Sequence, residues 1–195
     1  MARLRIAAFS IRSVAQRVGV TPPSIYLHFA DKEALLDAVC ARYFEKLDEE
    51  MQLVTAQQTS PIEVLRAQGL AYVRFAVKTP ELYRIAMMGE GRAGSDVDAT
   101  LNTSAFGHLR SAVEALMAEG TYPQGESTVY ALELWTAAHG VAALLISRPY
   151  LPWGDAEDFA DRVLRAVCCG HIALGLIGPK VSPQETVAQL KGLRR

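Results

Sequence analysis

Residues 10–36 read Ser10-Ile-Arg-Ser-Val-Ala-Gln-Arg-Val-Gly19-Val-Thr-Pro-Pro-Ser-Ile-Tyr26-Leu-His-Phe-Ala-Asp31-Lys-Glu-Ala-Leu-Leu36. Ile11, Val14, Ala15 and Val18 recur at helical spacing, which predicts a short helix with one buried stripe. Ser10 stands before the stripe and caps its first turn. Gly19 follows the last apolar residue, where a left-handed turn needs no Cβ. Thr21 caps a second helix, with Pro22 at its first position, where a missing N–H costs little. Ile25 and Phe29 lie four apart and face inward, while Pro23, Ser24, Tyr26 and His28 fall mostly on the outer faces. Asp31 caps a third helix, whose Leu35, Leu36 and Val39 continue the core. Two helices joined by a glycine turn are a device for setting a helix in the DNA major groove.

Charge is divided in the same way. Residues 1–32 carry Arg3, Arg5, Arg12, Arg17 and Lys32 against Asp31 alone, a net +4. The whole chain is −1, which leaves −5 for the remainder. A basic head on an acidic body suits local phosphate binding, an asymmetry hidden by the overall pI of 6.4.

The stretch resembles the DNA-binding domain of the TetR family of bacterial transcriptional regulators. The likeness covers Phe9 to Val39 and includes Val14-Ala15, Gly19-Val20, Ile25-Tyr26, His28-Phe29 and Lys32-Glu33-Ala34-Leu35-Leu36. It implies that Tyr26 touches phosphate or a thymine methyl, and that His28 and Lys32 bind phosphates. It further implies that Ser10 reaches a phosphate and that Arg12 reads a base edge. Thr21, Pro22 and Ser24 match positions that enter the groove. Pro22 and Pro23 offer no side-chain hydrogen bond, so readout beside them is by apolar contact or shape. Taken singly, Tyr26 could be a half-buried aromatic and His28 an idle surface residue. A cation at a helix start, as at Lys32, sits poorly in the helix dipole and asks for another reason.

One departure stands out. Arg3 to Ala8 reads as the beginning of a first helix and Phe9-Ser10-Ile11 as the end of the turn after it, with the middle absent. The expectation is that one to three helical turns of the natural chain are missing from this sequence. An intact mass of 21.2 kDa would contradict it.

Beyond the head, helices are expected over 31–57, 61–78, 80–88, 98–119, 126–147, 155–177 and 183–193. Ser60-Pro61, Thr79-Pro80 and Ser182-Pro183 each place a cap before a first-turn proline. Residues 89–94 and 120–125 are glycine-bearing breaks, and no stretch alternates as a strand does. The expected fold is all-α, with a helix-turn-helix three-helix head over 1–40 and a ligand-binding and dimerisation body over 41–195. The helix from Asp31 joins them without a flexible linker. A hydrophobic content of 50% is ample for a core. No run of 18 apolar residues is evident, so no membrane span is expected. Three cysteines, Cys40, Cys168 and Cys169, form no disulfide framework, which points to a reducing cytoplasm.

The segment 126–147 is apolar on nearly every face, and 155–177 carries Phe159, Val163, Leu164, Val167 and Ile172 with small Gly170, Ala173 and Gly175. Two such helices from each of two subunits would make a four-helix bundle. The alternative is that both lie in one monomer core. The resemblance favours a homodimer, with two heads meeting successive major grooves.

Trp135-Thr-Ala-Ala-His139-Gly140 resembles a Trp-x-x-x-His-Gly signature of one TetR C-terminal subgroup. Trp135 and His139 share a helix face; they either pack in the core or touch a ligand. The resemblance also places Tyr72, Phe75, Tyr83, Met87, Met88 and Phe106 on helices around a ligand pocket. Met and aromatic residues suit a pliable apolar pocket, which implies a small apolar or aromatic inducer. Residues 89–94 match a dinucleotide fingerprint formally, but follow an apparent helix and not a strand. Cys168-Cys169-Gly170-His171 lacks a fourth metal ligand, so no metal and no cofactor are expected. No nucleophile–base motif points to an enzyme. The expected protein binds a palindromic double-stranded DNA operator and is released by a small-molecule inducer. A helical small-molecule binder without DNA binding is the alternative.

Overall fold

The computed structural model describes residues 10–88, 105–178 and 181–192. Among the described residues there are nine helices and no strand: α1 (Ile11–Val18), α2 (Pro22–Tyr26), α3 (Lys32–Ala56), α4 (Pro61–Lys78), α5 (Pro80–Met87), α6 (Ala105–Ala118), α7 (Ser127–Ser147), α8 (Ala156–Ile177) and α9 (Pro183–Gly192). The expected start of a first helix at 3–8, the glycine-bearing break at 89–94 and the opening of the helix expected at 98–119 lie outside the described residues.

Local chemistry sets the ends. Ser10 Oγ accepts the Ser13 N–H at 3.1 Å and Ser13 Oγ accepts the Ser10 N–H at 3.2 Å, a reciprocal cap on α1. Gly19 ends α1 at φ 75°, the left-handed region where a Cβ is strained. Asp31 accepts the Ala34 N–H at 2.8 Å and opens α3. Ser182 and Glu185 cap α9 in the same reciprocal way as Ser10 and Ser13.

Three expected caps differ. Thr21 stands at the N-cap of α2 but makes no side-chain cap bond. Pro22 and Pro23 offer no N–H, and the Ser24 N–H is taken by the Thr21 carbonyl at 3.0 Å. The Thr21 hydroxyl pairs instead with Ser24 Oγ at 2.8 Å. Thr79 donates to the Phe75 carbonyl at 2.7 Å, so its hydroxyl closes α4 and does not cap α5. Ser60 makes no side-chain cap bond either. There, Pro61 at the first helical position has already removed one donor.

The head packs Ile11, Ala15 and Ile25 with Val14, Phe29 and Leu35 around them. Val18 does not complete this stripe: it is 63% exposed, because α1 ends there and the chain turns away at Gly19. The body has two larger clusters. One centres on Phe44, Leu47, Tyr72, Tyr83, Val141 and Leu164. The other joins Leu65, Val113, Leu116, Tyr122, Leu134 and Cys168.

Helix α3 belongs to both parts. Leu35 packs in the head, and from Cys40 onward the helix buries Tyr43, Phe44, Leu47 and Met51 in the body. Its 25 residues rise about 37 Å at the usual 1.5 Å each. The boundary expected at residue 40 therefore falls inside one unbroken helix.

Helix α7 is long and apolar enough to cross a membrane by length and composition, with a mean hydropathy of 1.5 over its most apolar window. Glu133 and His139 interrupt it, so it is not a run of 18 apolar residues, and core helices meet the same length and composition. Ala131, Leu134, Ala138, Val141, Ala142, Leu145 and Ile146 turn inward against the body. Val129, Leu132 and Leu144 face outward, as does Leu176 of α8.

Candidate DNA-binding surface and ligand cavity

The exposed face of the head carries the residues singled out for DNA. Ser10, Arg12, Thr21, Pro23, Tyr26 and His28 are exposed, and Pro22, Ser24 and Lys32 are partly so. Tyr26 reaches its position because Ile25, its neighbour on the five-residue α2, is the buried anchor. The Phe29 N–H then bonds back to the Ile25 carbonyl at 3.0 Å and ends the helix. That leaves His28 outside and Phe29 in the core. Arg17 lies exposed in the last turn of α1, so Arg12 and Arg17 supply positive charge from one short helix. Leu27, which no sequence signal marks, is 84% exposed beside Tyr26. An exposed leucine at the end of α2 is an apolar side chain of the kind that can pack on a thymine methyl; its excess exposure shows only in the fold.

A second feature is a cavity of about 40 Å³ inside the body. Helices α3, α4, α6, α7 and α8 all contribute to its wall, with Met51, Gln68, Tyr72, Phe106, Trp135 and Cys168 among the lining residues. No charged residue lines it among those described. Of the residues expected around a pocket, the structure brings Tyr72, Phe106 and Trp135 to this wall. Phe75, Met87 and Tyr83 instead pack in the adjacent core cluster. Met88 is 46% exposed at the end of α5. Leu47, Met51, Gln68 and Cys168 also line it and are not among the residues expected there from the sequence. Gln68 lies one helical turn before Tyr72, a spacing that could have pointed to it.

His139 sits half-buried beside the cavity, against the buried Tyr72 and Tyr83. Its Nδ1 lies 3.1 Å from the Tyr72 hydroxyl and 2.9 Å from the Tyr83 hydroxyl. Tyr83 also donates to the His139 carbonyl at 3.2 Å. Trp135 and His139 are in ring contact at 5.4 Å, as their spacing along α7 predicts. Burial pushes the Tyr83 hydroxyl up to about 12 and holds His139 below its ordinary value, so both are neutral near pH 7. A neutral imidazole bonds to tyrosine without placing a charge in the core.

His171 of α8 is buried, packed on the rings of Tyr122 and Tyr130 at 5.4 and 5.0 Å. Desolvation lowers its pKa, opposed by the Glu133 carboxylate 3.5 Å away. Neighbouring Cys168 is buried and its thiol is pushed up to about 11 by desolvation, which leaves it protonated and unreactive. Among the described residues no group of three His, Cys, Asp or Glu is placed to hold a metal.

Two family descriptions match this chain. Residues 6–39 match the family described as bacterial regulatory proteins, tetR family. Residues 65–167 match the tetracyclin repressor-like C-terminal domain. A protein of unknown function from Rhodococcus sp. RHA1 superposes with a TM-score of 0.74 at 22% identity, over 84% of this chain and 85% of that one. The TetR family transcriptional regulator PfmR from Thermus thermophilus does so with 0.69 at 18% identity, over 86% and 94%. The ketosteroid transcriptional regulator KstR2 of Mycobacterium tuberculosis gives 0.62 at 17% identity, over 87% of each chain. At these identities the structures share the fold. No curated protein matches the sequence significantly.

Proposed function

The chain belongs to the TetR family of bacterial regulatory proteins and has the fold of a DNA-binding transcriptional regulator, and on that premise we propose that it is a repressor released from its operator by a small apolar or aromatic inducer. The observation that carries this reading is α3. One unbroken helix begins in the head at Lys32 and ends at Ala56, and its Leu47 and Met51 form part of the cavity wall. A close-packed wall does not accommodate a guest without moving. Ligand pockets are commonly about 300–1,000 Å³, far above the 40 Å³ found here. Binding must therefore displace wall helices, and α3 carries that displacement to the head.

The division is a head over 1–40 and a body over 41–195. In the head, Arg12 reads a base edge. Ser10, Tyr26, His28 and Lys32 hold the backbone, and Thr21, Pro22, Pro23 and Ser24 enter the groove. Two subunits join through α7 and α8, supported by the outward Val129, Leu132, Leu144 and Leu176, and their heads meet an inverted repeat. An inducer that binds better to the conformation with mis-spaced heads lowers DNA affinity by that difference alone.

The reading is tested by following a bound fluorescent duplex by anisotropy while neutral aromatic compounds are added. A compound that binds the body is expected to weaken DNA binding about 5- to 150-fold, the usual range of coupling between sites. Compounds that bind the cavity and leave DNA affinity unchanged would remove the inducer role.

A further inference from the structure

The cavity wall holds one polar atom that the fold leaves unsatisfied. Gln68 is 2% exposed and lines the cavity. Its Nε2 donates to Thr55 Oγ1 at 2.9 Å, while its Oε1 has no hydrogen-bond partner. Buried amide oxygens are nearly always satisfied, because leaving one bare forfeits its hydration without return. The surrounding wall offers it little. Leu47, Met51, Leu65, Phe106, Leu134 and Leu164 are apolar, and the Tyr72 hydroxyl one turn along α4 is engaged with His139.

We propose that the inducer is a neutral, mostly apolar molecule with one hydroxyl or N–H group, and that this group donates to Gln68 Oε1 and is what Gln68 selects. The proposal rests on the cavity being the inducer site. Neutrality follows from the wall: a carboxylate would meet an acceptor and a cation would meet no counter-charge. The donor follows from Oε1, which accepts and cannot give. An ether or a plain hydrocarbon of the same shape leaves Oε1 as bare as before. The chosen amide also ties α4 to Thr55 in the last turn of α3, so the selecting contact touches the helix that leads to the head.

Isothermal titration of the full chain with 4-ethylphenol, 4-ethylanisole and ethylbenzene tests this. The phenol donates, the ether only accepts, and the hydrocarbon does neither. The phenol is expected to bind roughly tenfold more tightly than the ether, the scale of one buried hydrogen bond. In Gln68→Leu that ratio should fall to about one, with hydrocarbon binding kept or improved. Gln68→Met repeats the comparison should the leucine variant not fold, and the wild-type ratio is itself decisive. Equal binding of all three by the wild type overturns the role of Gln68 and leaves the cavity reading standing. A phenol preference that survives both substitutions does the same. No binding of any probe overturns both.

Discussion

Two chemistries divide the single residues of this chain. In the head, exposed polar and basic side chains stand on a small apolar anchor. Lys32→Ala and Tyr26→Phe are expected to weaken binding to every duplex about equally, and the lysine change should lower the salt dependence by about one ion. Arg12→Ala should cost about 1–3 kcal/mol on the preferred sequence and relax the choice at one base position. Anisotropy on preferred and random duplexes separates these, and an equal loss on both for Arg12→Ala would contradict its reading role. In the body, half-buried His139 and buried His171 set a pH dependence. Burial holds His139 and His171 below their ordinary 6.5, so the unfolded chain takes up protons that the folded chain refuses. Stability is full above that value and falls as the pH drops through it toward the lowered folded values. Urea midpoints should decline from pH 7 to pH 5, and His171→Phe should flatten part of that slope. A midpoint constant across this range would show that burial does not depress these groups.

Among the elements, spacing and punctuation carried most of the information. The glycine turn at Gly19, the cap at Asp31 and the prolines at Pro61, Pro80 and Pro183 each mark a helix end that the structure contains. Side-chain partners were less legible. The Thr79 hydroxyl had two carbonyl and amide choices within one turn, and only the packed geometry decides for Phe75. Val18 has the periodicity of a core residue, but periodicity records a face and not whether anything covers it. The same limit applies to the cavity. Its wall draws on five helices, so the sequence could suggest Tyr72, Phe106 and Trp135 by type, whereas Gln68 and Cys168 become visible only when the helices assemble. Helices α7 and α8 make their own prediction. The apolar Leu132 and Leu144 of α7 are 45% and 48% exposed, and the proposed dimer buries them. Leu132→Glu with Leu144→Glu should give a folded monomer by analytical ultracentrifugation with unchanged helical circular dichroism. An intact dimer would place the subunit contact elsewhere.

The whole molecule is a short DNA-facing head and a close-packed helical body that share α3. That helix has no break between its head-packing Leu35 and its cavity-lining Met51, and in the proposed mechanism it carries movements of the body wall to the head. In the proposed dimer such a movement would change the spacing between two heads, to which DNA with fixed half-sites about 34–36 Å apart is sensitive. The measurement that bears most directly on this account is selection of bound sequences from random duplex DNA with the full-length protein, followed by a salt titration on the enriched sequence. An enriched inverted repeat, bound with steep salt dependence, is the expected result. A folded dimer that enriches no sequence would contradict it and leave a helical small-molecule binding protein whose head does not read DNA.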